Sequence, residues 1–164
     1  MQTPPSFDSW TIVFLIAAVQ GFFTAFVLTK WRRGHPLANR LLAWMLILFS
    51  ITLVEYVLYW TGYLFHFPHM ANVSIQFPFL YGPILWLYLR TIYEGKPLKK
   101  QDWWLFAPFI LGVFCFAESY LADTATKQAV LSGDLPFRGE IWMLKFQFWA
   151  RMVWILGFAL WNLA

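Results

Sequence analysis

Four ionisable side chains stand inside the longest apolar runs of this sequence: Glu55, Glu118, Lys145 and Arg151. Ionised groups at membrane depth are costly, so each needs a named partner, and such groups mark pockets, relays or switches. Counted from the same-sided ends of their runs, Glu55 lies about eight residues in and Arg151 about ten, which is roughly 12 and 15 Å of helix. Glu118 and Lys145 both lie close to that same side. The matched depths predict two interhelical pairs, Glu55–Arg151 and Glu118–Lys145. Such pairs either fix helix order and rotation only, or, for Glu55 and Arg151, line a polar pocket or a switch. Thr52, Glu55 and Tyr59 recur at helical spacing and share one face. Glu118 and Lys145 also have a separate option, to snorkel to the interface.

Other chemistry is sparse. His66 and His69 are three apart, as metal ligands can be, but no third ligand accompanies them. Residues 72–74, Asn-Val-Ser, match an acceptor sequon too common to carry weight. There is no P-loop, no GxSxG, no HExxH and no haem-type pair of membrane histidines. No catalytic residue, cofactor or metal is therefore expected, and the chain does not read as an enzyme. The single cysteine, Cys115, cannot close an intramolecular disulfide and reads as a small packing residue.

The elements that hold these groups follow from composition. Of 164 residues, 60% are hydrophobic, 22% aromatic and only 12% charged. The mean hydropathy is +0.57. A water-soluble domain of this length would expose too much apolar surface, so the class is membrane. A spanning helix needs about 20 apolar residues. Five runs approach that, at residues 10–29, 41–63, 77–93, 103–121 and 141–164. They predict an all-α membrane domain, a polytopic bundle of five transmembrane helices covering residues 1–164.

Lys and Arg counts give the orientation. Residues 1–9 and 64–76 carry none, whereas 30–40 hold Lys30, Arg32, Arg33 and Arg40, and 90–100 hold Arg90, Lys96, Lys99 and Lys100. Residues 122–140 offset Lys127 and Arg138 with Asp123, Asp134 and Glu140. The alternation puts the N-terminus outside and the C-terminus inside. The net charge of +4 is thus explained by cytoplasmic loops rather than by nucleic acid. The first run lacks a basic n-region and is followed by basic residues, so it is an anchor and not a cleaved signal. Trp10, Trp31, Tyr63, Tyr93, Trp103 and Trp104 sit near run ends, as in an interfacial aromatic belt.

Two patterns bear on packing. The third run, FPFLYGPILWLYLR, carries Pro78, Gly82 and Pro83. Pro78 falls in the first turn, where a missing N–H costs little. Gly82 and Pro83 lie further in and predict a kink, either a bend that packs the helix or a hinge or ligand-facing notch. Ala17, Gly21 and Ala25 form a small-residue stripe that permits close helix approach, within the chain or across a dimer.

Several stretches together resemble a known family: AAVQGFFTAFVLTK (17–30), HPLANRLLAWMLIL (35–48), FPFLYGPILWLYLRTI (77–92) and FAPFIL (106–111). Their order is similar to the N-terminal membrane region of membrane-anchored bacterial AraC-type helix-turn-helix transcriptional regulators, over about residues 10–115. In that family the membrane helices precede further spans and a cytoplasmic DNA-binding domain. This chain ends at Ala164 without a helix-turn-helix, so the expectation is a sequence truncated before those parts. The resemblance then implies a sensor or anchor module in the bacterial cytoplasmic (inner) membrane, passing an envelope signal inward. Its partners are the lipid bilayer and a homodimer mate or other membrane subunits, with no nucleic acid contacted by these residues. The alternative is a small accessory or scaffold subunit of a larger membrane complex.

Overall fold

A computed structural model describes residues 7–31, 34–95, 97–134, 146, 149–154 and 157. The described residues contain helices and turns and no strand, so the chain is all-α. Helix α1 spans Ser9–Lys30. Asp8 starts it: its carboxylate accepts the Thr11 N–H at 2.8 Å, while Thr11 Oγ1 accepts the Asp8 N–H at 3.1 Å. This reciprocal box satisfies two amides that a helix start leaves orphaned. Trp31 is extended, Gly34 takes a positive φ of 82°, and Pro36 opens α2, Pro36–Trp60. The Thr61 hydroxyl donates back to Val57 C=O at 2.6 Å, and Gly62 at φ 77° turns the chain out of α2.

The α1–α2 hairpin is the most extensive helix contact. Its seam has a seven-residue spacing on both helices: Thr11, Ala18 and Ala25 on α1, and Ala43, Ser50 and Val57 on α2, all buried. A period of seven keeps one face toward the partner, as in a coiled coil. A strict four-residue step turns by about 40° each time, because 3.6 residues make a turn. That corrects the expected stripe. Gly21 and Ala25 face α2, whereas Ala17 is exposed and Ala18 stands in the seam.

Three successive short 3-10 turns, Tyr63–Phe65, Pro68–Met70 and Val73–Gln76, lead into α3, Pro78–Glu94. Pro78 occupies its first turn, as expected. The main core lies between α2 and α3: Leu41 and Leu48 against Phe77, Ile84 and Leu87, with Leu105, Phe106 and Phe109 alongside. The Phe49 ring stacks on Tyr81 at 4.4 Å, and Thr52 Oγ1 lies 3.3 Å from Tyr81 OH.

Helices α1 and α2 are long and apolar enough to cross a membrane, and no other described helix is. The expectation of five such helices needs correcting. Helix α3 has 17 residues, about 26 Å, short of the roughly 30 Å of a hydrocarbon core. The fourth run is broken. It forms a 3-10 turn, Lys100–Phe106, then α4, Ala107–Cys115, and α5, Ala117–Leu121. Pro108 explains the first break, because it has no N–H for the Trp104 carbonyl, which Ala107 N–H takes in a tighter turn instead. At the second break the Phe116 N–H is shared between Gly112 and Val113 carbonyls, at 3.1 and 3.2 Å. Nothing in the sequence marks this second break. An α6 follows, Thr124–Leu131, capped by Asp123. The fifth run, 141–164, lies largely outside the described residues, but 149–154 are helical.

Candidate functional site

The turn at 72–76 is where the sequence-flagged charges meet. Glu55 sits late in α2, 9% exposed, and its Oε2 accepts the Ser74 N–H at 2.8 Å. Arg151 donates to the next carbonyl along, Ile75 C=O, and its guanidinium lies over the Phe79 ring, 5.6 Å from the centroid. Tyr120 of α5 donates its hydroxyl to Asn72 C=O at 3.2 Å. An acid, a base and a phenol from three separate elements thus hold one short stretch of backbone. Ion-assisted hydrogen bonds of this kind are about twice as strong as neutral ones.

The expected Glu55–Arg151 pair therefore takes a different form. The two charges are joined through the 74–75 backbone, on consecutive residues. Depth matching paired them directly; the structure brings both to one turn, on adjacent backbone groups. Thr52 and Glu55 turn toward α3 and the turn, while Tyr59, expected on the same face, is exposed. Glu118 is exposed on α5, and its expected partner Lys145 lies outside the described residues.

Gln76 closes the turn and is 1% exposed. Among the described residues neither end of its amide makes a hydrogen bond of good geometry, though the Tyr120 side chain is close by. It lies against α4 at Gly112, where an added Cβ would stand 2.3 Å from Gln76 Oε1. Only glycine at 112 lets α4 approach this closely. Gly82 and Pro83 follow one turn further into α3. The helix continues through them, and Pro83 is fully buried. Pro83 cannot supply the ladder N–H for the Phe79 carbonyl, so the hydrogen-bond ladder is weakest at the residue whose ring Arg151 covers.

The turn runs without a spacer into α3. Tyr120 and Gln76 were not flagged by sequence, and Ser74 only as part of a sequon given no weight. Backbone partners leave no side-chain signature, and a single Tyr or Gln at the edge of an apolar run is ordinary.

The opposite end of α3 holds a second charged lock. Arg90 donates to both carboxylate oxygens of Asp102, at 2.8 and 2.5 Å, and Lys99 N–H adds a third bond at 2.6 Å. The guanidinium also lies over Trp86, 4.6 Å from the ring centroid. The hydrogen bonds from Arg90 are the main reason the Asp102 carboxyl is held below its ordinary pKa.

Comparison with family models, curated proteins and solved structures finds no match. The site's reading thus rests on its own geometry.

Glu55 gives the first test. Glu55→Ala strands the half-buried Ser74 N–H and should cost about 2 kcal/mol, as loss of a hydrogen bond to a charged group does. Glu55→Gln keeps an acceptor oxygen and should cost about half as much. Thermal unfolding followed by circular dichroism in detergent reads both. Equal stability of all three proteins would remove Glu55 from the site.

Proposed function

We propose that this chain is the membrane sensor and anchor module of an AraC-type transcriptional regulator in the bacterial inner membrane. Helices α1 and α2 anchor it in the bilayer, with the N-terminus outside. The observation that carries this reading is the turn at 72–76, gripped by Glu55, Tyr120 and Arg151 and continuous with α3. A signal at the outer face that favours one arrangement of this turn shifts α3 and, through it, a cytoplasmic domain. A ligand or condition moves such an equilibrium only by its differential effect on the two packings.

Several features support the membrane placement. Only 17% of the most apolar stretch of α1, and of α2, is buried, the reverse of a soluble core helix. Trp10, Trp31, Tyr93, Trp103 and Trp104 near the helix ends are exposed, as an interfacial belt requires. The lysine-poor turns at 63–76 contact α6, in keeping with one shared side. The short α3 and the broken α4–α5 are compatible with spans, since irregular backbone is tolerated at membrane depth where protein buries it.

The accessory-subunit reading has one observation in its favour. Phe22, Phe23 and Phe26 are exposed on α1, a surface that suits subunit packing as well as lipid. The intact mass of the native, untagged protein from its source cells separates the two readings. The regulator reading expects a protein substantially larger than 19.4 kDa, with a helix-turn-helix C-terminal to Ala164. A native mass near that of this chain would overturn it and leave the subunit.

A further inference from the structure

We propose that the mouth of the α1–α2 hairpin binds an organic ammonium ion, held by the Asp8 carboxylate and the aromatic rings of Trp10, Phe14 and Trp60. An open cleft of about 400 Å³ lies there, lined by these four residues and Thr11. That volume is at the small end for ligand pockets, the size for a headgroup or a small metabolite. The chemistry of the cleft is independent of the proposed function, which adds only that this end of the hairpin faces the envelope.

The cleft follows from where the chain places its aromatic residues. Trp10 and Phe14 are one turn apart on α1 and share a face. Trp60 is the last residue of α2, and the hairpin brings it back to the start of α1. The Phe14 and Trp60 rings meet edge to face, with centroids 5.1 Å apart, so they stand at an angle as two walls. Tyr56 backs Trp60, stacked on it at 5.6 Å. Phe7 packs on Tyr63 at 5.7 Å, which ties the chain just before Asp8 to the turn after α2. Trp10 and Trp60 remain 71% and 50% exposed, so ring surface is left for a ligand.

The charge has one sign. Among the described residues Asp8 is the only ionisable side chain lining the cleft. Its Oδ1 accepts the Thr11 N–H, and that bond is the main reason its carboxyl is held below the ordinary pKa, so it is ionised at neutral pH. A helix start by itself favours an anion, but the capping carboxylate already supplies one. The carbonyl end of α2, at Trp60, adds to the preference for a cation. A metal does not fit, because one carboxylate among aromatic rings offers too few ligands. Nor does any group of three His, Cys, Asp or Glu come together among the described residues. An organic ammonium suits both halves of the cleft: the carboxylate balances its charge, and the ring quadrupoles attract its alkylated head. Such a group has two sources at an outer leaflet, the headgroup of an aminophospholipid or a free quaternary amine.

Isothermal titration calorimetry tests the site, with choline chloride added at constant ionic strength to the full chain in nanodiscs of phosphatidylglycerol, a lipid with no ammonium group. Heats from empty discs are subtracted. Choline should bind saturably, and its uncharged tert-butyl isostere about tenfold more weakly or less. Asp8→Asn keeps the helix cap, since Asn caps as well as Asp, but removes the charge and should weaken choline about fivefold. Trp60→Leu, or Trp10→Leu if that variant does not fold, should weaken it about three- to fivefold, as loss of an exposed cation–π partner does. Replacing part of the lipid with phosphatidylethanolamine separates the sources. Weaker apparent choline binding there assigns the cleft to the lipid headgroup, and unchanged binding assigns it to a free cation. Absence of saturable binding, equal binding of the uncharged isostere, or unchanged affinity in either variant overturns the site. No DNA-binding domain is needed for this readout, so the regulator reading stands or falls separately.

Discussion

Asp102→Ala should destabilise the protein by about 3 kcal/mol, the usual cost of removing one partner from a buried pair. Arg90 and Asp102 are only 10% and 11% exposed at their side chains. Without the carboxylate, Arg90 keeps its place over Trp86 but loses both charged acceptors, and the Lys99 N–H loses its partner. The turn between α3 and the Lys100–Phe106 segment then keeps only the Arg90 bond to Pro97 C=O, its own backbone bond and the packing of Leu105 and Phe106. In thermal unfolding the loss should appear as a drop of roughly 6–12 °C for a chain of this size. A shift within error would mean that the pair contributes only what an exposed surface bridge does.

The pH dependence has a definite sign. The Asp102 carboxyl is held below its ordinary value by Arg90. A depressed carboxylate contributes stability that is complete above its unfolded pKa, about 3.9, and is lost as pH falls through the lower folded value. The gap between wild type and Asp102→Asn should therefore stay constant from about pH 5 to about pH 8 and close only in stronger acid.

The hairpin of α1 and α2 was legible because length and hydropathy are local properties of the chain. So was the start of α3, since Pro78 carries its own positional meaning. The break in the fourth run was readable in principle from Pro108 but was outvoted by the surrounding hydrophobicity. The second break, at Phe116, has no local signal. The folded character of 63–76 was not foreseen either. That stretch reads as a polar loop, yet Leu64, Pro68, Gln76 and Phe77 are buried within or beside its turns. Its order comes from partners on α2, α5 and α6, which are distant in sequence.

The charged site was half legible. Ionisable groups in apolar runs announce themselves by their cost, and helix rise converts position to depth. That was enough to single out Glu55 and Arg151, which meet the same turn. Pairing them directly assumed that charges seek charges. A low-dielectric interior rewards any good hydrogen bond, and backbone N–H and C=O groups in a non-helical turn are the most available partners. Arg90 was counted only as a cytoplasmic marker, though Asp102, twelve residues on, was its lock.

Gly21→Leu should have the largest effect of any substitution in the α1–α2 hairpin. Any Cβ at position 21 would stand 2.1 Å from Ser50 Oγ, and Ser50 is 1% exposed, so a bulky residue can fit only by separating the helices. Overpacking a close seam costs about 1–3 kcal/mol or more. The mechanism is testable with smaller changes. Gly21→Ala conflicts with one atom, the serine oxygen, since the Ser50 Cβ would lie at an ordinary 3.5 Å. Gly21→Ala alone should therefore be neutral to destabilising, because the clash opposes the roughly 1 kcal/mol that alanine gains over glycine in a helix. Adding Ser50→Ala removes the clashing oxygen and lets that helix preference emerge. The double-mutant cycle should show a favourable coupling of about 1–2 kcal/mol by thermal unfolding, the size expected for side chains in direct contact. Additive effects of the two changes would mean that α1 and α2 do not meet at Gly21 and Ser50.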